Sequence, residues 1–307
     1  MKVAFSQFWP GFKPEDSFFF RLLESNSLEP EVMGGKGKSA DLEIVSVFPS
    51  RKDLIRKKLV SAVRKSAVGG SEQALANTTD HLPPRIGEQR IWFTGENIRV
   101  PVGQDFDFSL SYEQDLYNSS NMYFPLWYSH LDWFRTPEFN HRVGKPLTVK
   151  ELMEPRKLER ATPTKFACAF IGNAHPMRSR AIKELSKLGE VEVFGKSVGR
   201  PVKHKADIAA DFKYMICFEN DLYPGYVTEK PLDAYHSGTV PLYWGDFGNS
   251  DAINRNSLLN LADYQSLEEF VDSVSQISKS TYKQFYEQPF LHQMPSLDPL
   301  MSFLKNA

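Results

Sequence analysis

The sequence predicts an α/β protein built on a parallel β-sheet, and two features of its C-terminal half carry that prediction. Four short apolar segments lack polar alternation, as expected for strands buried on both faces: FACAFIG (166–172), VEVFG (191–195), YMICF (214–218) and TVPLYW (239–244). Segments with helical spacing lie among them, at about 179–188, 206–212 and 227–236. Strands and helices that alternate in this way form a doubly wound sheet, which binds ligands at the carboxyl ends of its strands.

The N-terminal half has the same alternation with longer irregular joins. Its predicted strands are KVAFSQF (2–8), LEIVSVF (42–48), RIWFTGEN (90–97) and FDFSLSY (106–112). Helices are predicted at 17–25 and 50–65, and the Gly and Pro pairs of residues 66–89 indicate a loop.

A change of composition marks the expected domain boundary. Residues 136–164 are rich in Pro, Lys, Arg and Glu and poor in apolar residues, which is typical of a connection between domains. We therefore expect an N-terminal domain over 1–160 and a C-terminal domain over 161–290. The remaining segment, 291–307, contains a predicted helix at 297–305 that is expected to pack back on the N-terminal domain.

Composition excludes several classes of function. The 37 Lys and Arg residues balance 38 Asp and Glu, whereas proteins that bind nucleic acid or anionic membranes usually need a basic excess. Cys168 and Cys217 lie in apolar runs and are expected to be buried free thiols, which suits a reducing compartment. The N-terminal apolar run is too short for a signal sequence, and no stretch approaches the roughly 20 apolar residues of a membrane helix. A cytoplasmic protein is expected.

Polar residues crowd the point where YMICF ends. Glu219 and Asn220 follow the strand, and residues 226–230 open the predicted helix, whose N-terminus and Lys230 would attract a phosphate. Arg178 stands at the start of the helix after FACAFIG, where it could bind a diphosphate through two hydrogen bonds. Any one of these residues alone could be a solvated surface charge. The loop after FACAFIG has no G-x-G-x-x-G, so dinucleotide or ATP chemistry is not favoured.

The motifs around this point resemble one known family. F-E-N at 218–220, Y-V-T-E-K at 226–230 and G-T-V-P-L-Y-W-G at 238–245 are similar to the α1,3/4-fucosyltransferases of glycosyltransferase family 10, including soluble bacterial members. The resemblance covers about 166–264 and is thinner over 90–128. It implies the GT-B fold, with two Rossmann-like doubly wound domains facing across a cleft. The C-terminal domain would bind GDP-fucose and the N-terminal domain the acceptor.

The resemblance also implies roles for individual residues. Arg178 and Lys230 would hold the phosphates of GDP-fucose, and Asn220, Tyr226 and Glu229 would contact the donor. A second set of donor contacts is Asn173, Gly195, Lys196, Val227 and Thr228. The family often has Ser or Thr where this chain has Asp221.

A catalytic base is expected on the N-terminal domain. An inverting transfer needs a base that takes the acceptor proton from the face opposite the departing diphosphate, and Thr94-Gly95-Glu96-Asn97 resembles the T-G-E-N that carries it in bacterial relatives. Glu96 is therefore the candidate base, in a partly buried position that would raise its pKa. The implied product is Lewis-type, with fucose on the 3-hydroxyl or 4-hydroxyl of N-acetylglucosamine in a Galβ-GlcNAc glycan. No cofactor or essential metal is expected.

Other interpretations stay open. Asp105-Phe106-Asp107 could be a D-x-D metal clamp of a metal-dependent transferase, although such a pair is more often a strand edge. The aromatic content of 13% would also suit a carbohydrate-binding protein without catalysis. The donor could be another GDP-sugar, since a phosphate site does not read the sugar. Oligomeric state is not predicted, and peripheral association with the inner face of the membrane stays an alternative, because some bacterial relatives carry a basic tail for it.

Overall fold

The computed structural model describes residues 1–33, 39–48, 82–101, 103–115, 117–134, 147–157, 163–173, 175–250 and 252–306. Residue contacts divide the chain into two compact units, Met1–Phe124 with Asp298–Ala307, and Pro125–Leu297. The predicted helix at 50–65 and most of the predicted loop at 66–89 lie outside the described residues. None of the helices in the described ranges is long and apolar enough to cross a membrane.

The first unit contains a six-stranded sheet in which every neighbouring pair is parallel. Its order is β2-β1-β3-β4-β5-β6. The strands are β1 (Lys2–Ser6), β2 (Glu31–Val32), β3 (Ala40–Val45), β4 (Gly87–Phe93), β5 (Phe108–Ser111) and β6 (Asn121–Tyr123). The four strands predicted for this half are confirmed, and two short ones were missed.

Helix α1 (Phe18–Ser25) covers part of this sheet and was predicted from its spacing. Ser17 caps it, because its hydroxyl accepts the backbone N–H of Phe20 at 3.2 Å. The apolar residues fall on one face, and Phe19 packs edge-on against Phe93 of β4 with ring centroids 4.8 Å apart. A 3₁₀ helix, Pro14–Asp16, precedes α1.

The second unit is built on a five-stranded parallel sheet of order β11-β10-β9-β7-β8. Its strands are β7 (Lys165–Phe170), β8 (Val191–Phe194), β9 (Phe212–Phe218), β10 (Val240–Trp244) and β11 (Leu259–Asn260). The helices are α2 (Val149–Met153), α3 (Pro176–Leu185), α4 (Lys205–Ala209), α5 (Lys230–His236), α6 (Leu267–Ser275) and α7 (Lys279–Glu287). Short 3₁₀ helices lie at Leu126–His130, Lys196–Val198, Arg255–Ser257 and Leu261–Asp263. The predicted α/β fold with parallel sheets is confirmed in both units.

The boundary between the units differs from the predicted one. The sequence placed it after residue 160, whereas residues from Pro125 onward belong to the second unit. The reason is burial, since Trp127, Leu131 and Leu152 are part of that unit's hydrophobic core. Leu152 lies on α2, a helix inside the segment interpreted as a linker, and a capping box between Thr148 and Glu151 fixes its start.

The C-terminal helix, α8 (Asp298–Asn306), belongs to the first unit although it follows the second along the chain. Its Phe303 packs edge-on against Phe108 of β5, with ring centroids 5.3 Å apart. Leu300, Met301 and Leu304 are buried on one helical face. The predicted helix at 297–305 thus exists and closes the first unit.

Candidate functional site

The carboxyl end of β9 holds a fully buried carboxylate. Glu219, the residue after the strand, is 0% exposed. Its carboxylate accepts the backbone N–H of Thr228 at 2.9 Å, the Thr228 hydroxyl at 2.9 Å and the Tyr243 hydroxyl at 3.2 Å. Lys230 Nζ donates to the same carboxylate at 2.5 Å. Glu219 therefore organises the whole turn between β9 and α5.

This carboxylate explains why α5 starts later than the sequence predicts. The helix was expected from Val227, but it begins at Lys230, with Pro231 in its first turn. The N–H of Thr228 is directed at Glu219 rather than along a helix axis. Residues 226–229 are therefore an ordered turn, and Lys230 is the first helical residue.

Lys230 keeps its charge in this setting. Burial acts to lower the pKa of Lys230, but the attraction of Glu219 and Glu229 outweighs it, so the pKa lies above its ordinary value. The side chain is 22% exposed. Its ammonium group donates to Glu219 and, at 3.1 Å, to the Thr228 hydroxyl. An ammonium carries three N–H donors. The described residues accept two of them, so one remains for a ligand.

Arg178, on the first turn of α3, is fastened to the same end of β9. Its Nε and Nη2 donate to the carbonyl oxygen of Phe218 at 3.1 and 2.9 Å, and Nη2 also donates to Asn220 Oδ1. Nη1 donates to the Asn173 carbonyl at 3.1 Å. Four of the five N–H groups of this guanidinium thus have acceptors in the described part of the chain. Burial lowers the pKa of Arg178.

A cavity of about 450 Å³ opens beside these residues, entirely within the second unit. This volume is in the usual range for small-molecule sites. Its walls include carbon from Phe170, Val202 and Met215. Among the described residues the lining carries four cations and two anions, namely Arg178, Lys196, Lys205, Lys230, Glu229 and Asp233. The cavity is therefore suited to a ligand with both an anionic and an apolar part.

The cavity brings together most of the predicted donor contacts. Its lining includes Asn173, Arg178, Gly195, Lys196, Asn220, Glu229 and Lys230. Tyr226, Val227 and Thr228 are buried and do not appear among the described residues that line it. Asp221 is also absent from that lining, and its Oδ1 accepts the backbone N–H of Leu222 at 2.9 Å.

Gly195 shapes the cavity through its backbone. It has φ +120°, and a Cβ at this position would lie 2.2 Å from the Ile171 carbonyl oxygen. No other residue type could adopt this conformation without moving the end of β7. Gly195 thus lets the loop after β8 approach β7 closely, and Lys196 follows directly on the cavity wall.

The candidate base lies in the first unit. Glu96 is in a turn after β4, and it is exposed, in contrast to the partial burial that was expected. Thr94 holds the turn, because its hydroxyl donates to the Glu96 carbonyl at 2.8 Å and accepts the Glu96 N–H at 3.1 Å. The backbone around the carboxylate is therefore ordered.

The two carboxylates of the possible D-x-D metal clamp are bound by arginines. Asp107 accepts from Arg85 and from the backbone N–H of Arg90 at 2.8 Å, and Asp105 pairs with both arginine side chains. These contacts favour the interpretation of Asp105 and Asp107 as a strand-edge pair. Within the described ranges, no group of three or more His, Cys, Asp or Glu residues could hold a metal ion.

Comparison with known proteins links this cavity to a family. The family model described as glycosyltransferase family 10 (fucosyltransferase), C-terminal part, matches residues 161–292, which include every residue of the cavity lining. The C-terminal part of this chain, residues 161–292, is therefore similar to the C-terminal part of the glycosyltransferase family 10 enzymes. It is 27% identical over 252 residues to the alpha-(1,3)-fucosyltransferase FucT of Helicobacter pylori, an alignment that covers 71% of this chain and 52% of the relative.

Another relative and a solved structure also have fucosyltransferase names. The human 4-galactosyl-N-acetylglucosaminide 3-alpha-L-fucosyltransferase 9 is 28% identical over 132 residues, which are 41% of this chain and 37% of that protein. The chain thus spans about half or less of the length of these curated relatives. A crystal structure of an alpha1,3-fucosyltransferase with GDP-fucose superposes with a TM-score of 0.69 at 20% identity, covering 99% of this chain and 89% of that one. The fold is therefore the GT-B fold of these enzymes.

Three residues of this site were missed from the sequence. Glu219 was noted in its motif but given no role, although it holds Lys230. Lys205 and Asp233, which pair across the cavity wall, were not considered. Asp233 stands three residues after Lys230, on the same helical face, and that spacing was the available signal. Lys205 is on another helix, and no local pattern points to it.

Proposed function

We propose that this chain transfers L-fucose from GDP-fucose to a sugar hydroxyl. The observation that carries the proposal is the excess of cations in the cavity, with Lys230 held ready by the buried Glu219. A diphosphate is the ligand that such a charge pattern favours. Support for fucose comes from the names of the relatives and from a structural neighbour that contains GDP-fucose.

In this proposal each unit binds one of the two substrates. The second unit binds the donor, because its cavity contains the cations. The first unit binds the acceptor and supplies Glu96 as the base, which takes the proton of the attacking hydroxyl. Fucose transfer then proceeds by a single displacement with inversion at the fucose carbon. The ordered turn around Glu96 and its exposure to an incoming hydroxyl support this role.

Lys230 and Arg178 act on the leaving group. Negative charge builds on the β-phosphate as the glycosidic bond breaks, and fixed donors stabilise it. Lys230 would do this with its remaining N–H group. Arg178 contributes its positive charge and holds Asn220 and the end of β9 in place. These two cations supply charge that a metal ion provides in other transferases, so we propose that transfer requires no divalent metal.

The acceptor that we propose is N-acetylglucosamine in a Galβ-GlcNAc-type glycan, with fucose on its 3-hydroxyl or 4-hydroxyl. The name of the human relative, a 4-galactosyl-N-acetylglucosaminide 3-alpha-L-fucosyltransferase, supports this class. We place the reaction in the cytoplasm, since Cys168 and Cys217 are buried free thiols. Burial raises the pKa of both thiols, which keeps them unreactive.

The test is a transfer assay with GDP-fucose and a panel of N-acetyllactosamine, lacto-N-biose and related glycans. Product linkage is read by NMR, and each reaction is repeated with EDTA. We expect one fucosylated product and the same rate with EDTA. Loss of activity with EDTA would overturn the metal-free proposal. Glycan binding with no turnover of any GDP-sugar would indicate a carbohydrate-binding protein instead.

The proposed base has its own test. Glu96→Ala should abolish transfer while GDP-fucose still binds, because the carboxylate acts on the acceptor and not on the donor. Calorimetry measures donor binding, and a GDP-release assay measures turnover. Transfer at the wild-type rate would contradict the role of Glu96.

A further inference from the structure

An ion pair on the cavity wall has no role in the chemistry proposed above. Asp233 lies on α5, three residues after Lys230, and is 1% exposed. Its Oδ2 pairs with Nζ of Lys205, the first residue of α4, whose side chain is 20% exposed. Both side chains line the 450 Å³ cavity.

The second oxygen of this carboxylate is unsatisfied. Asp233 Oδ1 is buried, and no described residue donates a hydrogen bond to it. A buried polar atom without a partner is unfavourable, and it is rare enough in proteins to require an explanation. Because Asp233 lines the cavity, a hydrogen-bond donor on the bound ligand would satisfy this oxygen.

The pair presents a defined pattern to such a ligand. Asp233 offers an acceptor that lacks a donor, and Lys205 offers an ammonium beside it. Guanine carries the complementary edge, with the N1–H and N2 amino donors next to the O6 acceptor. Adenine carries an acceptor at N1 and an amino donor at N6, so the carboxylate would face a lone pair. The pattern therefore discriminates between purines.

We propose that Asp233 and Lys205 form the subsite that reads the guanine base of the donor nucleotide. Asp233 Oδ1 accepts from N1–H and the N2 amino group, and Lys205 donates to O6. Carbon from Phe170 and Val202 lines the same cavity and suits the flat faces of the base. This inference rests on the proposed function, and it identifies the residues that select a guanosine diphosphate.

The spacing along α5 is consistent with one ligand touching both parts of the site. Residues three apart on a helix are neighbours on its surface, with Cβ atoms about 5–6 Å apart. Lys230 would thus contact the diphosphate while Asp233, nearly one turn later, contacts the base. One short helix would read both the charge and the identity of the nucleotide.

The experiment compares nucleotides that differ only at this edge. Calorimetry measures binding of GDP, inosine diphosphate and xanthosine diphosphate to the wild type, to Asp233→Asn and to the control Asp207→Asn, an exposed aspartate on α4. Inosine lacks the N2 amine, and xanthosine replaces it with a carbonyl oxygen. The wild type and the control should bind GDP roughly 10- to 100-fold more tightly than inosine diphosphate, since a hydrogen bond to a charged group is lost.

The Asp233→Asn variant should shift its nucleotide preference from GDP towards xanthosine diphosphate. In Asp233→Asn the amide oxygen can keep the bond from Lys205 Nζ, which places the NH2 group where Oδ1 was. There it opposes the donors of guanine and can donate to the xanthine oxygen, so GDP affinity should fall roughly 10- to 100-fold and affinity for xanthosine diphosphate should rise. A gain can come only from folded protein. If Asp233→Asn does not fold, Lys205→Met serves as the second variant, with an expected loss of about 10-fold for GDP.

The outcomes separate the two proposals. Unchanged ratios among the three nucleotides in Asp233→Asn, or unchanged GDP affinity in Lys205→Met, would overturn the guanine subsite while GDP binding and fucose transfer stand. Failure of the wild type to bind GDP, together with binding of a different nucleotide, would overturn the proposed donor and with it the subsite.

Discussion

A buried carboxylate paired with a cation occurs in each unit, and two of these pairs, Glu43–Arg90 and Glu219–Lys230, differ in what surrounds the cation. In the first unit, Glu43 on β3 and Arg90 on β4 are register partners, and both side chains are 0% exposed. In the second unit, Glu219 is also 0% exposed, but Lys230 is 22% exposed and lines a cavity. Both carboxylates accept further hydrogen bonds from their own unit.

The difference separates a structural pair from a functional one. Arg90 donates to both oxygens of Glu43, at 2.9 and 3.1 Å, and to the carbonyl oxygens of Asp105 and Pro83. These bonds direct the cation at the protein itself. Lys230 has protein partners on one side and open space on the other. A buried ion pair by itself is therefore no sign of a site, whereas a partly exposed cation fixed by a buried anion is one.

The largest effect on stability should come from breaking the fully buried pair of Glu43 and Arg90. Arg90→Ala leaves the Glu43 carboxylate buried without its cation, so the free energy of unfolding should fall by about 3–5 kcal/mol. Urea denaturation followed by circular dichroism measures the change. A loss below that of an exposed arginine variant would contradict the structural role.

Breaking the pair of Glu219 and Lys230 should lower the rate of fucose transfer. Lys230→Ala removes a donor to the leaving diphosphate, and we expect a loss of roughly 10²–10³-fold in kcat. The free energy of unfolding should fall less than in Arg90→Ala, because Lys230 lines the cavity and its removal lets water reach Glu219, whereas Glu43 and Arg90 are both fully buried. Lys187→Ala, an exposed lysine, is the matched control. Unchanged turnover at saturating GDP-fucose would exclude Lys230 from the site.

The smallest effect is expected at a fully solvated pair. Arg180 lies two residues after Arg178 on α3 and pairs with Glu268 at 2.6 Å, with the two side chains 56% and 59% exposed. Water screens this pair, so Arg180→Ala should leave both the urea midpoint and the transfer rate at wild-type values. Arg178→Ala, in contrast, should lose transfer. Equal losses in the two variants would show that position on α3, and not the contacts of Arg178, matters.

Whether an element of the fold could be predicted depends on whether its signal lies in its own segment of the sequence. Strands such as FACAFIG and YMICF were predicted because their composition alone reports burial on both faces. The start of α5 was wrong because the N–H of Thr228 bonds to Glu219, nine residues earlier, and no helical periodicity records such a contact. Helix α2 was missed because its five residues lie in a polar segment where only Leu152 is buried.

The site shows the same division. Lys230, Asn220 and Arg178 could be predicted because short motifs place them at strand ends, and all three line the cavity. The pairing of Lys205 with Asp233 could not, because it joins residues 28 apart whose individual segments look like ordinary surface helices. Motifs predict the residues at strand ends, whereas the pair of Lys205 and Asp233 is formed only when α4 packs against α5.

The most direct test of the donor cavity is a crystal structure with bound GDP-fucose. We expect a diphosphate oxygen within about 3.2 Å of Lys230 Nζ, in the cavity beside Asn220. A nucleotide bound elsewhere on the chain, with this cavity unchanged and Lys230 still bonded only to Glu219 and Thr228, would contradict it.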